Sequence, residues 1–229
     1  MFGPEEWTAI LLSLKVGGIA TVVSLPPAIL VAWVLARREF WGKALVDGFV
    51  HLPLVLPPVV TGYALLVLFG RRGVFGGFLA EHLGLVFSFR WTGAALAAGV
   101  MGFPLMVRAI RLSIEAIDVR VEQAAATLGA PPIWVFATVT LPLAVRGIAA
   151  GAVLAFAKAL GEFGATITFV SNIPGQTQTI PAAIYTYTQT PGGDAGALKL
   201  SLVAAAIALA ALVASEVSVR RARRGGGFE

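Results

Sequence analysis

Cysteine is absent from the 229 residues, which excludes disulfide frameworks, thiolate metal sites and cysteine nucleophiles. Only two histidines occur, His51 and His82, too few for a histidine-based metal centre and little for a catalytic triad. Charge is scarce as well: 13% of residues are Asp, Glu, Lys or Arg, where a soluble domain carries about 25%. A Gly-x-x-x-x-Gly-Lys-Ser/Thr phosphate loop is missing too, so the chain lacks the usual means of holding a nucleoside triphosphate. What is abundant is apolar: 58% of the residues, with a mean hydropathy of +0.86. That balance excludes a disordered chain and points to an all-α integral membrane protein.

The placement of the charges says more than their sum of +5. Residues 16–36, 48–70, 91–107 and 200–215 contain no ionised group, and a fifth apolar stretch, 147–170, is interrupted by Lys158 and Glu162 alone. A helical span needs about 20 residues, so the pattern predicts five, near 8–36, 48–70, 91–112, 144–170 and 197–219. The first is not a leader peptide, because Glu5 and Glu6 precede it and Arg37-Arg38 follow it. Those flanks put the N-terminus outside and the C-terminus in the cytoplasm. Eleven of the seventeen basic residues then fall on the cytoplasmic side, in the 37–47 loop, the 108–146 segment and the tail. Arg71 and Arg72, in an outer loop, run against the trend. The basic excess is a topology signal and not a nucleic-acid footprint. No linker or internal repeat divides residues 1–229, which read as a single domain.

The cytoplasmic segment 113–142 is too polar to span and too patterned for a plain loop. Asp118 is placed to cap a short helix, and Gly129 with Pro131-Pro132 to stop it. Ile117, Val121, Ala124 and Leu128 recur on one helical face. A second short segment, 133–140, leads into Leu141-Pro142. The expectation is a helix–turn–helix knob, either lying on the lipid surface or docking a soluble partner.

Spacing favours the second. Gln123-Ala124-Ala125, three residues, Gly129, nine residues, Val139, one residue and Leu141-Pro142 resembles the EAA signature of ABC-importer permeases, with Gln123 in place of the glutamate and Val139 in place of an isoleucine. The acid Glu122 is adjacent. Leu52 through Val60, Phe103-Pro104-Leu105, 161–166 and Thr179-Ile180-Pro181 extend the likeness, and nearly the whole chain is similar to the molybdate permeases of that family, with sulfate permeases as close relatives. The resemblance implies a five-helix permease in the bacterial inner membrane, a homodimer that works with two cytoplasmic ABC ATPases and a periplasmic molybdate-binding protein. Sulfate, thiosulfate or tungstate is the alternative cargo. It implies no enzyme activity and no cofactor on this chain, ATP and magnesium being used by the ATPase. ATPase coupling falls by the same likeness to Glu122, Gln123, Ala124, Ala125, Gly129, Val139, Leu141 and Pro142.

Inside the spans, Pro57-Pro58 and Pro104 interrupt apolar runs, either as kinks or where freed carbonyls line a pathway. Lys158 and Glu162, four apart, share a helical face; they pair locally, or Lys158 attracts an anion while Glu162 tempers it. Thr61, Thr166 and Thr168 offer hydroxyls to the same route. The candidate pathway is therefore Pro57, Pro58, Thr61, Lys158, Glu162 and Thr166. Gly147 and Gly151 form a G-x-x-x-G pair suited to close helix contact. His51 reads as an interfacial residue and His82 as an exposed one. An intramembrane enzyme would need facing carboxylates or a nucleophile with its base, and the spans hold only Glu162 and Glu216 as acids.

Overall fold

The computed structural model describes residues 2–225, and for residues 215–225 the backbone course alone. Among the described residues the regular structure is wholly helical. Helix α1 (Pro4–Arg37) opens with Pro4 in its first turn and with the Glu6 carboxylate accepting the Gly3 N–H at 2.7 Å, so that acid and proline together start it. Its 34 residues extend about 51 Å at the helical rise. Helices α2 (Lys43–Val55) and α3 (Pro58–Phe69) follow with a 113° bend between them. Leu56 and Pro57 are extended there, and Pro58 begins α3 with no N–H to leave unpaired. A tight corner then leads into α4 (Val74–Leu83).

Helix α5 (Trp91–Glu115) is the centre of the bundle: 67% of its apolar window is buried in the protein, against 22% for α1 and 11% for α11. It packs between α1 and α8. The reason lies in its side chains, since Gly93, Ala94, Ala95, Ala97, Ala98 and Gly102 are small enough to let neighbouring backbones approach. The glycine pair expected to make a close contact does so here, within one subunit. A Cβ on Gly147 would collide with Ser113 of α5, and one on Gly151 would lie 3.0 Å from the Met106 carbonyl.

Beyond α5 come α6 (Val119–Thr127) and α7 (Pro132–Val135), a π-helical turn (Phe136–Thr140) and α8 (Leu141–Leu160), the last three forming one path, Pro132–Leu160. Then follow α9 (Gly164–Val170), α10 (Ile180–Thr188) and α11 (Asp194–Gly225). The segment before α10 is folded rather than loose: Thr177 is fully buried, its hydroxyl donates to the Ser171 carbonyl, and Ser13 of α1 accepts the Ile180 N–H at 2.7 Å.

Among the described residues four helical paths are long and apolar enough to cross a membrane, and the bent α2–α3 pair makes a fifth if counted as one span. Two expected spans differ in form. The second, 48–70, is two pieces, and the fourth, 144–170, ends at Leu160 before a turn at residues 161–163 and the separate helix α9. Pro104 and Pro26-Pro27, by contrast, sit inside unbroken helices.

Candidate functional site

The first helix of the expected knob is present as α6, whereas the second segment, 133–140, is not a separate helix and runs through the π-helical turn straight into α8. The Asp118 carboxylate accepts the Arg120 N–H at 2.9 Å and caps α6. Gly129 ends it at φ +85°, in the left-handed region, with nothing within 4 Å of where a Cβ would stand. Its apolar residues point outward: Leu128 is 89% exposed, Ile133 80%, Trp134 63% and Val121 47%. Gln123 and Ala124 are exposed beside them, and Pro142 is exposed further on. Ala125, Val139 and Leu141 are half-buried. Ile117, expected on the same face as Val121 and Leu128, instead packs against the core beside Leu35 and Ile114. The outward apolar patch is the part of the knob free to meet another surface.

Glu122 lies on the other side of α6. Its Oε2 is 2.8 Å from Arg37 Nε, an ion pair and not an aligned hydrogen bond, with the two side chains 13% and 14% exposed. Its Oε1 accepts the Thr140 hydroxyl at 2.6 Å. Arg37 also donates through Nη2 to the carbonyls of Ile114 (2.8 Å) and Ile117 (3.1 Å). Sequence reasoning did not find Arg37 or Thr140. Their partners lie far along the chain, and only a basic residue closing a helix hinted at the first.

The second candidate region is where the bent α2–α3 pair meets the turn between α8 and α9. A Cβ on Gly62 would stand 2.5 Å from the Ala165 carbonyl and 2.9 Å from Thr168 Cβ, and one on Gly164 would stand 2.8 Å from Pro58 Cβ. Helices α3 and α9 therefore touch backbone to backbone at their first turns, which brings the Pro57-Pro58 break beside the 161–163 break. Glu162 is 2% exposed. Its Oε2 receives the Lys158 ammonium at 2.7 Å and its Oε1 the Ala165 N–H at 3.0 Å, so the carboxylate caps the start of α9 while paired to α8. The Lys158 side chain is 30% exposed.

Thr61 is buried, and its hydroxyl has no partner among the described residues. Thr166 is buried on α9, and the Thr168 hydroxyl donates to the Gly164 carbonyl, which commits its proton to its own helix. Pro57 and Pro58 are exposed on the single chain. The structure thus gathers Pro58, Lys158, Glu162 and the α3–α9 crossing into one place.

His51 Nδ1 is engaged with the Asp47 carbonyl at 2.9 Å, and His82 is exposed and stacked on Phe78. Among the described residues no group of three acids or histidines is arranged to hold a metal.

Comparison with known proteins adds to this geometry. A family model described as binding-protein-dependent transport system inner membrane component matches residues 28–224. The molybdenum transport system permease protein ModB of Escherichia coli (strain K12) is 59% identical over 222 residues, 97% of each chain. The sulfate transport system permease protein CysT of Salmonella typhimurium is 32% identical over 96% of this chain and 79% of that one. Among solved structures, a chain of a bacterial alginate ABC transporter, crystallised with an alginate pentasaccharide-bound periplasmic protein, matches with a TM-score of 0.75 over 96% of this chain and 80% of that chain. Its identity is 19%, so that likeness speaks for the fold.

Proposed function

The chain belongs to the family of binding-protein-dependent transport system inner membrane components, as a non-catalytic, multi-pass permease, and from that premise we propose that it is the membrane subunit of an ATP-driven molybdate importer. The observation that carries the cargo is the ratio of likenesses: 59% identity to a molybdenum permease against 32% to a sulfate permease, each over nearly all of this chain. Two copies form the pathway, with two ABC ATPases on the cytoplasmic side and a molybdate-binding protein outside. The N-terminus lies outside and the C-terminus in the cytoplasm, together with the knob. This chain holds no cofactor; ATP and magnesium belong to the ATPase.

The outward apolar patch of the knob supports the docking role, since such a patch rimmed by polar residues marks an interaction surface. ATP draws the ATPases together, the knobs follow, and the spans rock so that the pathway opens outward; hydrolysis reverses the motion. Each conformation must bind a partner or nucleotide more tightly than the other, because a ligand shifts an equilibrium only by its differential affinity. The pathway runs past the meeting of the α2–α3 bend and the α8–α9 turn, at Pro57, Pro58, Thr61, Lys158, Glu162 and Thr166. Buried hydroxyls and one partly exposed cation there suit an oxyanion that is passed on and not held.

The test is cellular molybdenum uptake at submicromolar external molybdate, in a strain lacking the gene and in the complemented strain. The expected result is a deficit restored by the gene and insensitive to excess sulfate. Normal molybdenum with defective sulfate uptake moves the cargo to sulfate and overturns the molybdate reading.

A further inference from the structure

We propose that the Arg37–Glu122–Thr140 junction is the joint through which the knob moves the spans, with Glu122 as a positioning residue and not a contact to the docked ATPase. This rests on the transport reading above and adds to it which side chains carry the motion.

The first ground is how little else holds α6. None of its residues is buried, and its larger apolar side chains face away from the protein. Packing against α7 and the π-helical turn holds such a helix only lightly, so the contacts of its polar face count for more. On that face both Glu122 oxygens are already engaged, one with Arg37 and one with Thr140. An acid whose two oxygens point into its own chain is poorly placed to meet a second protein.

The second ground is what the junction connects. Arg37 is the last residue of α1, and its guanidinium reaches the Ile114 and Ile117 carbonyls as well as Glu122. The Ile114 carbonyl lies in the last turn of α5 and also accepts the Ile117 N–H at 3.1 Å, and a cation beside a helix C-terminus is favoured by the helix dipole. Thr140 is 1% exposed and closes the π-helical turn at the foot of α8. One carboxylate thus ties the knob to the ends of α1 and α8, and, through Arg37, to the end of α5. Those are the three helices that pack together as the centre of the bundle. A displacement of α6 is passed to all three at once.

The third ground is geometry. An exposed ion pair is screened and worth little, but these side chains are 13% and 14% exposed. Arginine supplies several donors in a fixed fork, so it holds carbonyls and a carboxylate together where a lysine has one point charge.

The test uses the full complex of permease, ATPase and molybdate-loaded binding protein in proteoliposomes, with Glu122→Gln, Arg37→Lys and Thr140→Val. The joint predicts unchanged affinity for the ATPase and unchanged ATP hydrolysis in assembled complexes. Molybdate delivered per ATP falls about tenfold in the first two variants, the size of one lost charge-assisted contact. A merely structural role lowers the yield of complex and leaves the delivery ratio of the assembled fraction alone; that result overturns the proposal. Weakened ATPase affinity in Glu122→Gln also overturns it, returning Glu122 to the docking surface.

A second measurement covers variants that do not assemble. The chain has no cysteine, so spin labels at Glu39→Cys and Leu128→Cys report the distance from the end of α1 to the knob without background. A single narrow distribution in the parent that broadens in Thr140→Val is expected, and an unbroadened one refutes the joint. If the parent complex delivers no molybdate, the transport reading fails while the label distances still judge the joint.

Discussion

Lys158→Met should cost the protein more than its own lost contact, because it strands a carboxylate. Glu162 is 2% exposed, and among the described residues Lys158 at 2.7 Å is its one countercharge, the Ala165 N–H being a further contact. Removing one partner of a fully buried pair costs about 3–5 kcal/mol. Lys158 is 30% exposed, so water enters part of the site and the expectation falls to about 2–4 kcal/mol. Glu162→Gln is milder, about 1–2 kcal/mol, since the amide oxygen can still accept the Ala165 N–H and the lysine can reach water. The double variant leaves no charge to strand, and its stability should return to within about 1 kcal/mol of the parent. Chemical denaturation in detergent, followed by tryptophan fluorescence, gives the cycle. Uptake in proteoliposomes then separates the two meanings of the pair. If Lys158 stands on the anion's route, the double variant regains stability and stays slow; if the pair only holds the α8–α9 turn, both return together. A Lys158→Met protein as stable as the parent would refute the reasoning, because it would mean that Glu162 needs no countercharge.

Gly129→Val should lose about 1–2 kcal/mol locally through its left-handed backbone alone, as no neighbour obstructs the side chain. ATP hydrolysis then continues without matching uptake, while Gly129→Asn, which tolerates that conformation, keeps both; normal uptake in the valine variant would remove the turn from the docking role. Gly62→Val places a side chain against the Ala165 carbonyl at 2.5 Å. Overpacking of that kind costs about 1–3 kcal/mol, so the yield of folded protein on size-exclusion chromatography should drop, and an unaffected yield would show that α3 and α9 can separate freely.

Much of this arrangement is written locally. Uncharged stretches give the long helices, because little but a helix satisfies its backbone in lipid. Asp118, Gly129 and Pro131-Pro132 give the knob, because caps and stops act within a turn of themselves. The break after Leu160 is less legible: apart from Glu162 the apolar run continues through residues 161–170, and the Glu162 side chain reaches forward to the Ala165 N–H to start α9 as a separate helix. Proline pairs are ambiguous for a related reason. Pro57-Pro58 breaks a span and Pro26-Pro27 does not, and Gly164 seated on Pro58 is a tertiary contact that no reading along the chain contains. The role of Glu122 is hidden in the same way. Its neighbour in the motif suggested an acid for a partner, while Arg37, supplied 85 residues earlier, turns it inward.

Helix α1 is longer than a membrane is thick. Its 34 residues measure about 51 Å against a hydrocarbon core of about 30 Å. The surplus is taken up by inclining the helix or by letting its end turns project into water. Arg37 is the final residue, so the height at which it stands depends on how far α1 leans. A thicker bilayer holds α1 upright and draws Arg37 toward the headgroups; a thinner one lays it over. The height of Arg37 relative to the membrane surface is therefore expected to follow bilayer thickness, which transport measured in vesicles of graded acyl-chain length would test.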